Sequence, residues 1–101
     1  MTSLEQKILA LVSQIPKGKI TTYQIIAHKI GNKNLARAVG NALNKNPQLI
    51  TIPCHRVVRN DQKVGNYAKG LAKKIKLLQN EGILINGEKI ANFYSCLYHF
   101  N

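Results

Sequence analysis

Gly31 sets the tightest limit on how this chain can fold. It stands between two short stretches whose apolar residues recur at helical spacing. Before it, Ile25, Ile26 and Ile30 predict a helix from about Tyr23 to Ile30, with Thr21 or Thr22 as its cap. After it, Leu35, Val39, Ala42 and Leu43 fall on the inner side of a helix over about 34–45, ended by Asn46-Pro47. A glycine can take the left-handed backbone that closes one helix and turns the chain into the next. Two short helices joined by a tight glycine-containing turn are the sequence form of a helix-turn-helix.

The flanking segments complete a mainly α chain with a small β wing. Leu4, Ile8, Leu11, Val12 and Ile15 share one stripe of a helix over 4–15, for which Ser3 and Gln6 have capping-box spacing. Pro16 and Gly18 stop it. Ile50-Thr51-Ile52 leads into Pro53, which biases Ile52 to extended backbone. Val57-Val58, a polar turn over Asn60-Asp61-Gln62-Lys63, and Val64 predict a small hairpin or wing. Leu71 to Asn80 returns to a helix, with Leu71, Ile75, Leu77 and Leu78 apolar and Lys73, Lys74 and Lys76 polar. Gly82 closes it, and Asn86-Gly87 carries the strongest hairpin signal, over 83–90. The last ten residues carry no pattern. With 101 residues and no repeat, residues 1–101 read as a single domain.

Charge narrows the partners. Fifteen Lys+Arg against four Asp+Glu give a formal +11, which attracts polyanions: nucleic acid or an anionic membrane surface. The longest apolar run, Ile8 to Val12, is far short of the roughly 20 residues that span a bilayer. The basic residues do not gather on one face of a single helix, so no membrane partner is expected. Glu5 and Lys7 inside the N-terminal apolar pattern argue against a signal peptide. Two cysteines, Cys54 and Cys96, are too few for a disulfide scaffold and fit the reducing cytoplasm.

Cys54 follows a proline and precedes His55 and Arg56. A lone cysteine is commonly a small buried hydrophobe. Neighbouring positive charge or a base would instead raise the thiolate fraction and make it a nucleophile. Cys54, His55, Cys96 and His99 lack the paired, regular spacing of a structural zinc site, so no metal is expected. His28 reads as a surface or capping residue. Ala36, Ala38 and Gly40 are small, with Arg37 projecting between them. Such a helix either lets its backbone approach a nucleic acid closely or packs against another helix in the core.

Pro53-Cys54-His55-Arg56-Val57-Val58 resembles the active-site motif of the O6-alkylguanine-DNA alkyltransferases. Thr22-Tyr23-Gln24, Ala36-Arg37-Ala38-Val39-Gly40, Asn46-Pro47, Val64-Gly65-Asn66-Tyr67 and Glu81-Gly82 follow in that family's order and near its spacing. The resemblance runs from about Leu4 to Gly82. It implies a winged helix-turn-helix domain that binds duplex DNA through the minor groove and flips out O6-alkylguanine. It further implies a single-turnover transfer of the alkyl group to Cys54, with no cofactor and as a monomer. By the same resemblance His55 would be the base toward Cys54 through a water, and Glu81 would hold His55. Asn46 would brace the cysteine turn. Tyr23 would crowd the phosphate and offer its hydroxyl to guanine N3. Arg37 would fill the space left by the flipped base. Ala36, Gly40, Asn41 and Lys45 would join Tyr23 and Arg37 on the DNA. Leu43, Val57, Tyr67, Ala68 and Lys69 would line the base pocket, with the Ala68 amide near O6.

The chain departs from the family pattern in places. The family often carries a separate N-terminal domain, which this chain is expected to lack. Lys69 stands where a glycine is common, Lys76 where a bulky aromatic is usual, and Asn44 where an arginine is frequent. Two other readings remain: an alkyltransferase-like sensor that binds alkylated DNA without repair, and a winged-helix regulator.

Overall fold

Thr2 and Glu5 cap the first helix reciprocally. The Thr2 hydroxyl accepts from Glu5 N at 3.1 Å, and Glu5 Oε1 accepts from Thr2 N at 2.9 Å. The capping box therefore sits one residue earlier than Ser3 and Gln6 would place it. A carboxylate accepts more strongly than the Gln6 amide and complements the helix N-terminus. In this computed structural model, which describes residues 2–100, the helix is α1, Ser3–Val12. It ends before Ile15, because Gln14 N and Ile15 N bond to carbonyls three residues back in a tightened turn. Ile8, Val12 and Ile15 are buried as their stripe predicts, whereas Leu4 is exposed and Leu9 takes its place inside.

Thr22 caps α2, Tyr23–Lys29, by accepting from Ile25 N at 3.0 Å. Gly31 closes it: Gly31 N donates to His28 O and Asn32 N to Ala27 O, the paired bonds of a Schellman motif, with φ of 114° at Gly31. A single 3₁₀ turn, Lys33–Leu35, leads into α3, Ala36–Asn44. Val39, Ala42 and Leu43 bury the inner face of α3 against α1 and α2.

The Val57-Val58 pair does not fold back on Val64. Thr21–Thr22 (β1) and Val57–Val58 (β2) form a parallel pair, Thr21 opposite Val57 and Thr22 opposite Val58. All four residues are buried, as a short parallel pair covered on both faces requires. The C-terminal tail extends this layer. Ile20 N donates to Cys96 O, Tyr98 N donates to Ile20 O, and the Thr21 hydroxyl donates to Tyr98 O. A short helix, Phe93–Cys96, buries Phe93 and Cys96 there. This helix, α5, follows α4, Leu71–Asn80, in the chain.

The hairpin predicted at Asn86-Gly87 is present as β3 (Ile85–Asn86) and β4 (Lys89–Ile90). The turn of 59–63 docks on its outer edge, where Val64 N donates to Glu88 O and Ile90 N to Gln62 O. The apolar interior has two parts. One joins α1, α2, α3 and Cys54, and the other joins Val58, Val64, Leu78, the hairpin and the tail. Cys54 lies in the first part and the Val58 that follows its turn in the second. Among the described residues, no helix is long and apolar enough to cross a membrane.

Candidate functional site

A cavity of about 410 Å³ opens between α2, α3 and the loop that follows β2. Tyr23 comes from the first turn of α2, while Ala36, Arg37, Gly40 and Leu43 come from one face of α3. Cys54 reaches it from the segment before β2, and Tyr67 and Ala68 from the loop before α4. Gly65 lets that loop pass Tyr23 closely: a Cβ there would lie 3.1 Å from Arg59 Cγ and 3.6 Å from the Tyr23 hydroxyl, on a backbone with φ of 81°. Gly40 differs, because a Cβ on it would meet nothing within 4 Å. Its small size therefore serves no packing inside the protein.

Asn46 fixes the cysteine turn. Its Nδ2 donates to Ile52 O at 2.9 Å, and its Oδ1 accepts from Gln48 N at 2.9 Å. Ile52 O also accepts from Cys54 N at 2.8 Å, so one carbonyl gathers both donors. Pro53 and these bonds wind Cys54–Arg56 into a single 3₁₀ turn. That turn sends adjacent side chains different ways. Cys54 faces the cavity, and His55 points into the interior with no exposure.

Behind Cys54 lies an ionic cluster. His55 Nε2 is 3.1 Å from Glu81 Oε2. Arg56 Nε donates to Glu81 Oε1 at 2.9 Å, one terminal nitrogen of its guanidinium donates to Oε2 at 2.7 Å, and the other donates to Ile15 O at 2.8 Å. Arg56 thus joins the end of α1, the cysteine turn and the end of α4. Burial would raise the Glu81 carboxyl, but hydrogen bonds from Arg56 and His55 outweigh it and hold it below the ordinary range. Burial lowers the His55 imidazole against the pull of Glu81, so it is neutral at pH 7. With a carboxylate at Nε2, that nitrogen carries the proton. Nδ1 is then an unprotonated acceptor, and it is buried with no protein partner. Burial pushes the Cys54 thiol up, while the Asn46 side chain and the Lys74 charge pull it down.

The structure gathers some of the expected residues and separates others. Tyr23, Ala36, Arg37, Gly40, Leu43, Cys54, Tyr67 and Ala68 line the cavity together. Asn46, His55 and Glu81 stand behind it. Val57 and Lys69 do not line it. Val57 is fully buried in the core as part of β2, and Lys69 is exposed. Lys45 pairs with Glu5 at 2.8 Å, and Asn41 is exposed on α3. As a clamp on Glu81, Arg56 escaped the sequence reading, which has it only as a positive neighbour of Cys54, because its bonds to Glu81 and Ile15 O cross the chain. Lys74 escaped it too, yet Lys74 lies four residues before Leu78 and three after Leu71, on the inward stripe of α4. A lysine on that stripe was the available signal. Among the described residues, no cluster of three His, Cys, Asp or Glu side chains could hold a metal ion.

The family description "6-O-methylguanine DNA methyltransferase, DNA binding domain" matches residues 3–83. The human methylated-DNA–protein-cysteine methyltransferase is 47% identical over 77 residues, covering 76% of this chain and 37% of that protein. A crystal structure of Mycobacterium tuberculosis OGT in complex with DNA superposes with a TM-score of 0.78 at 38% identity, covering 81% of this chain and 50% of that one. S. pombe Atl1, solved in complex with damaged DNA containing O6-carboxymethylguanine, superposes with a TM-score of 0.85 at 28% identity, covering 99% of this chain and 98% of that one. The chain spans about half or less of the length of the methyltransferases it matches. The matched segment begins at the first residue of α1 and ends beyond α4, so every wall of the cavity and the cluster behind it fall inside. The chain belongs to the family of the 6-O-methylguanine DNA methyltransferase DNA-binding domain.

Proposed function

We propose that this protein repairs duplex DNA directly, moving an alkyl group from guanine O6 to Cys54 once per molecule. In this reading α2, the Gly31 turn and α3 are the helix-turn-helix, and β3–β4 with the 59–64 turn is the wing. The fifteen Lys+Arg supply phosphate contacts without sequence preference, as a scanning protein needs. Gly40, open to the outside, lets the backbone of α3 approach DNA, with Ala36 and Asn41 on the same helix. Lys45 can reach phosphate only by sharing or leaving Glu5. Arg37 enters the space left by the flipped nucleotide and offsets part of the few kcal/mol that extrusion costs. The guanine occupies the cavity against Leu43 and Tyr67, with O6 toward the Ala68 amide. Lys69, exposed and outside the cavity lining, meets phosphate rather than base. The protein acts as a monomer in the reducing cytoplasm.

The chemistry balances without a cofactor. His55 Nδ1 takes the Cys54 proton through a water, and Glu81 stabilises the resulting imidazolium. The thiolate sulfur attacks the alkyl carbon, an S–C bond forms and the C–O6 bond breaks. The guanine leaves with its charge neutralised by a proton from the Tyr23 hydroxyl at N3, and the Tyr23 phenolate regains a proton through water from the His55 imidazolium, so that both side chains return to neutral. Buried Cys54 rests as a thiol, so the base is needed at the moment of reaction. The observation that carries this reading is a His55 held through Nε2 by Glu81, with Nδ1 buried and unpartnered, next to a cavity-facing cysteine.

Intact mass after mixing with a duplex holding one O6-methylguanine tests it. The protein gains one methylene, and Cys54→Ala abolishes the gain. No gain, or a gain that survives Cys54→Ala, overturns the proposal. The near full-length match to Atl1 favours a second reading, binding of alkylated DNA without transfer. In that case the duplex is held tightly and its lesion is chemically unchanged.

A further inference from the structure

A second cleft, of about 470 Å³, opens between α2 and the C-terminal tail, and the chemistry above does not use it. Ile25 and His28 line it from α2, and Lys33 from the 3₁₀ turn that follows. Tyr94 lines it from α5, and His99 and Phe100 from the tail. The tail lies beyond the family-matched segment 3–83, so one wall of this cleft falls outside it. That wall is held in place. Ile20 bonds to Cys96 O and Tyr98 N, and Phe93 and Cys96 are buried beneath it. The cleft is therefore formed before anything enters it.

Its lining has a distinctive chemistry. Tyr94 is 76% exposed, the most open of the large apolar side chains described, although it packs edge-on against Phe93 at 5.1 Å and its hydroxyl accepts from Gln62 Nε2 at 3.4 Å. With Ile25 and Phe100 beside it, this ring belongs to an apolar patch, and such a patch on a small protein marks a contact site. Basic side chains, His28, Lys33 and His99, stand round the patch. Among the described residues no acidic side chain lines it. An open aromatic ring with cations nearby suits a ligand that is flat at one end and anionic at the other. A nucleotide has that form, with its base on the ring and its phosphate on the cations.

The position of the cleft points to the same ligand. Gln24 and Asn60 line both this cleft and the Cys54 cavity. Asn60 Nδ2 donates to Gln24 Oε1 at 2.9 Å, and both side chains are exposed. The pair forms a bridge from α2 to the turn after β2, with one hollow on each side. A strand whose guanine enters the first hollow can cross this bridge to the second. We propose that the tail cleft is a second nucleic-acid site, which takes an unpaired nucleotide of the lesion-bearing strand with its base stacked on Tyr94. Paired bases stay inside the duplex, so the site fills only where the strand beside the lesion is single, as at an overhang or a gap. The inference rests on the DNA-binding part of the reading above and is independent of alkyl transfer.

Anisotropy titrations test it, in Cys54→Ala so that the lesion persists. A blunt duplex with one O6-methylguanine is compared with the same duplex carrying a short oligothymidine overhang on the 5′ or the 3′ side of the lesion strand. An overhang is expected to tighten binding about fivefold, the order that one stacked base contributes. Adding Tyr94→Ala removes this gain and leaves the blunt duplex unaffected, and adding Lys33→Gln removes part of it. Equal affinity for all these DNAs, or a gain that survives Tyr94→Ala, overturns the proposal. A dimer of the free chain in sedimentation that Tyr94→Ala dissolves would seat a second copy in the cleft and overturns it too.

A second measurement needs no variant. The native chain is photo-cross-linked to the overhanging duplex with 5-iodouracil in the overhang, and the modified peptide is mapped by mass spectrometry. The cross-link is expected on Tyr94. Cross-links confined to other segments overturn the proposal even if Tyr94→Ala fails to fold. Failure of the native chain to take a methyl group would sink the transfer reading alone, whereas a chain that binds none of these DNAs would sink both.

Discussion

His55 Nε2 and Glu81 Oε2 lie 3.1 Å apart, although the residues are separated by the whole of the pocket loop and α4. The contact exists because Arg56 holds the same carboxylate with two bonds and is itself anchored on Ile15 O. The carboxylate is thus fixed before any substrate arrives, and it selects the imidazole tautomer whose Nδ1 faces away.

Glu81→Gln should separate chemistry from binding. An amide keeps the shape, but it can offer its NH₂ to Nε2 and so place the imidazole proton on Nδ1. His55 then cannot accept from Cys54. Transfer to Cys54 is expected to slow by about 10²-fold or more, the usual contribution of a general base. Affinity for an alkylated duplex should change little. Single-turnover rates and a titration by fluorescence anisotropy check this. Equal losses in both would assign Glu81 a structural role only.

Stability should follow pH in a way that identifies the buried groups. His55 is lowered by burial, so it is neutral in the folded chain while the unfolded chain takes a proton below about 6.5. Glu81 is lowered on balance, burial opposing and Arg56 and His55 prevailing. Both contributions are complete above their unfolded values and are lost as pH falls through the folded ones. Lys74 adds the opposite limb. Folded at about 7 against 10.5 unfolded, it makes stability rise as pH passes upward from 7. Cys54, raised by burial, opposes this limb above about 9, where the unfolded thiol ionises first. Urea midpoints should therefore climb from pH 5 to 9 and level off beyond, and Lys74→Met should flatten the climb between 7 and 9. A native chain with no climb in that window contradicts the buried lysine.

How far these features could be read in advance depends on their range in sequence. The α2–Gly31–α3 unit was legible because its apolar spacing, threonine cap and glycine stop are all local. The same holds for α4 and for the Asn86-Gly87 hairpin. The β1–β2 pair was not legible, since Val57-Val58 carries no mark of pairing with Thr21-Thr22 rather than with Val64. The tail was not legible either, because Tyr98 is placed by bonds to Ile20 and Thr21 across the chain. At the site, Cys54, His55 and Arg37 stood out by motif. Val57 was assigned to the cavity although its side chain faces the core and only its carbonyl is turned toward Lys74. Lys74 was set on the polar face by its charge, although its position on the Leu71–Leu78 stripe puts it inside.

Arg37 is exposed on α3, lines the cavity and makes no ion pair among the described residues. Arg37→Ala should therefore change folding stability by less than about 0.5 kcal/mol. It should weaken binding to a duplex with one O6-methylguanine by about 1–2 kcal/mol, part of the few kcal/mol that extrusion costs. Binding to the undamaged duplex, where nothing is flipped, should change much less. Paired anisotropy titrations at one salt concentration measure the difference. Equal weakening on both duplexes would make Arg37 a phosphate contact and leave the wedge role empty.

Asn46 makes the last separable contribution, because its two ends act on different partners. Nδ2 donates to Ile52 O, which also accepts from Cys54 N, and Oδ1 accepts from Gln48 N. The side chain also lowers the Cys54 thiol. Asn46→Ala removes both ends and is expected to cost about 1–2 kcal/mol of stability, with the thiol moving further up. Asn46→Asp keeps the acceptor for Gln48 N, loses the donor and sets a negative charge beside the sulfur. It should therefore be the more stable of the two and yet the slower to react with iodoacetamide at pH 8. A structural brace alone predicts the reverse order of reactivity, since the variant that keeps more of the turn would then keep more of the rate. Denaturant midpoints and carbamidomethylation rates on the same two proteins decide between them.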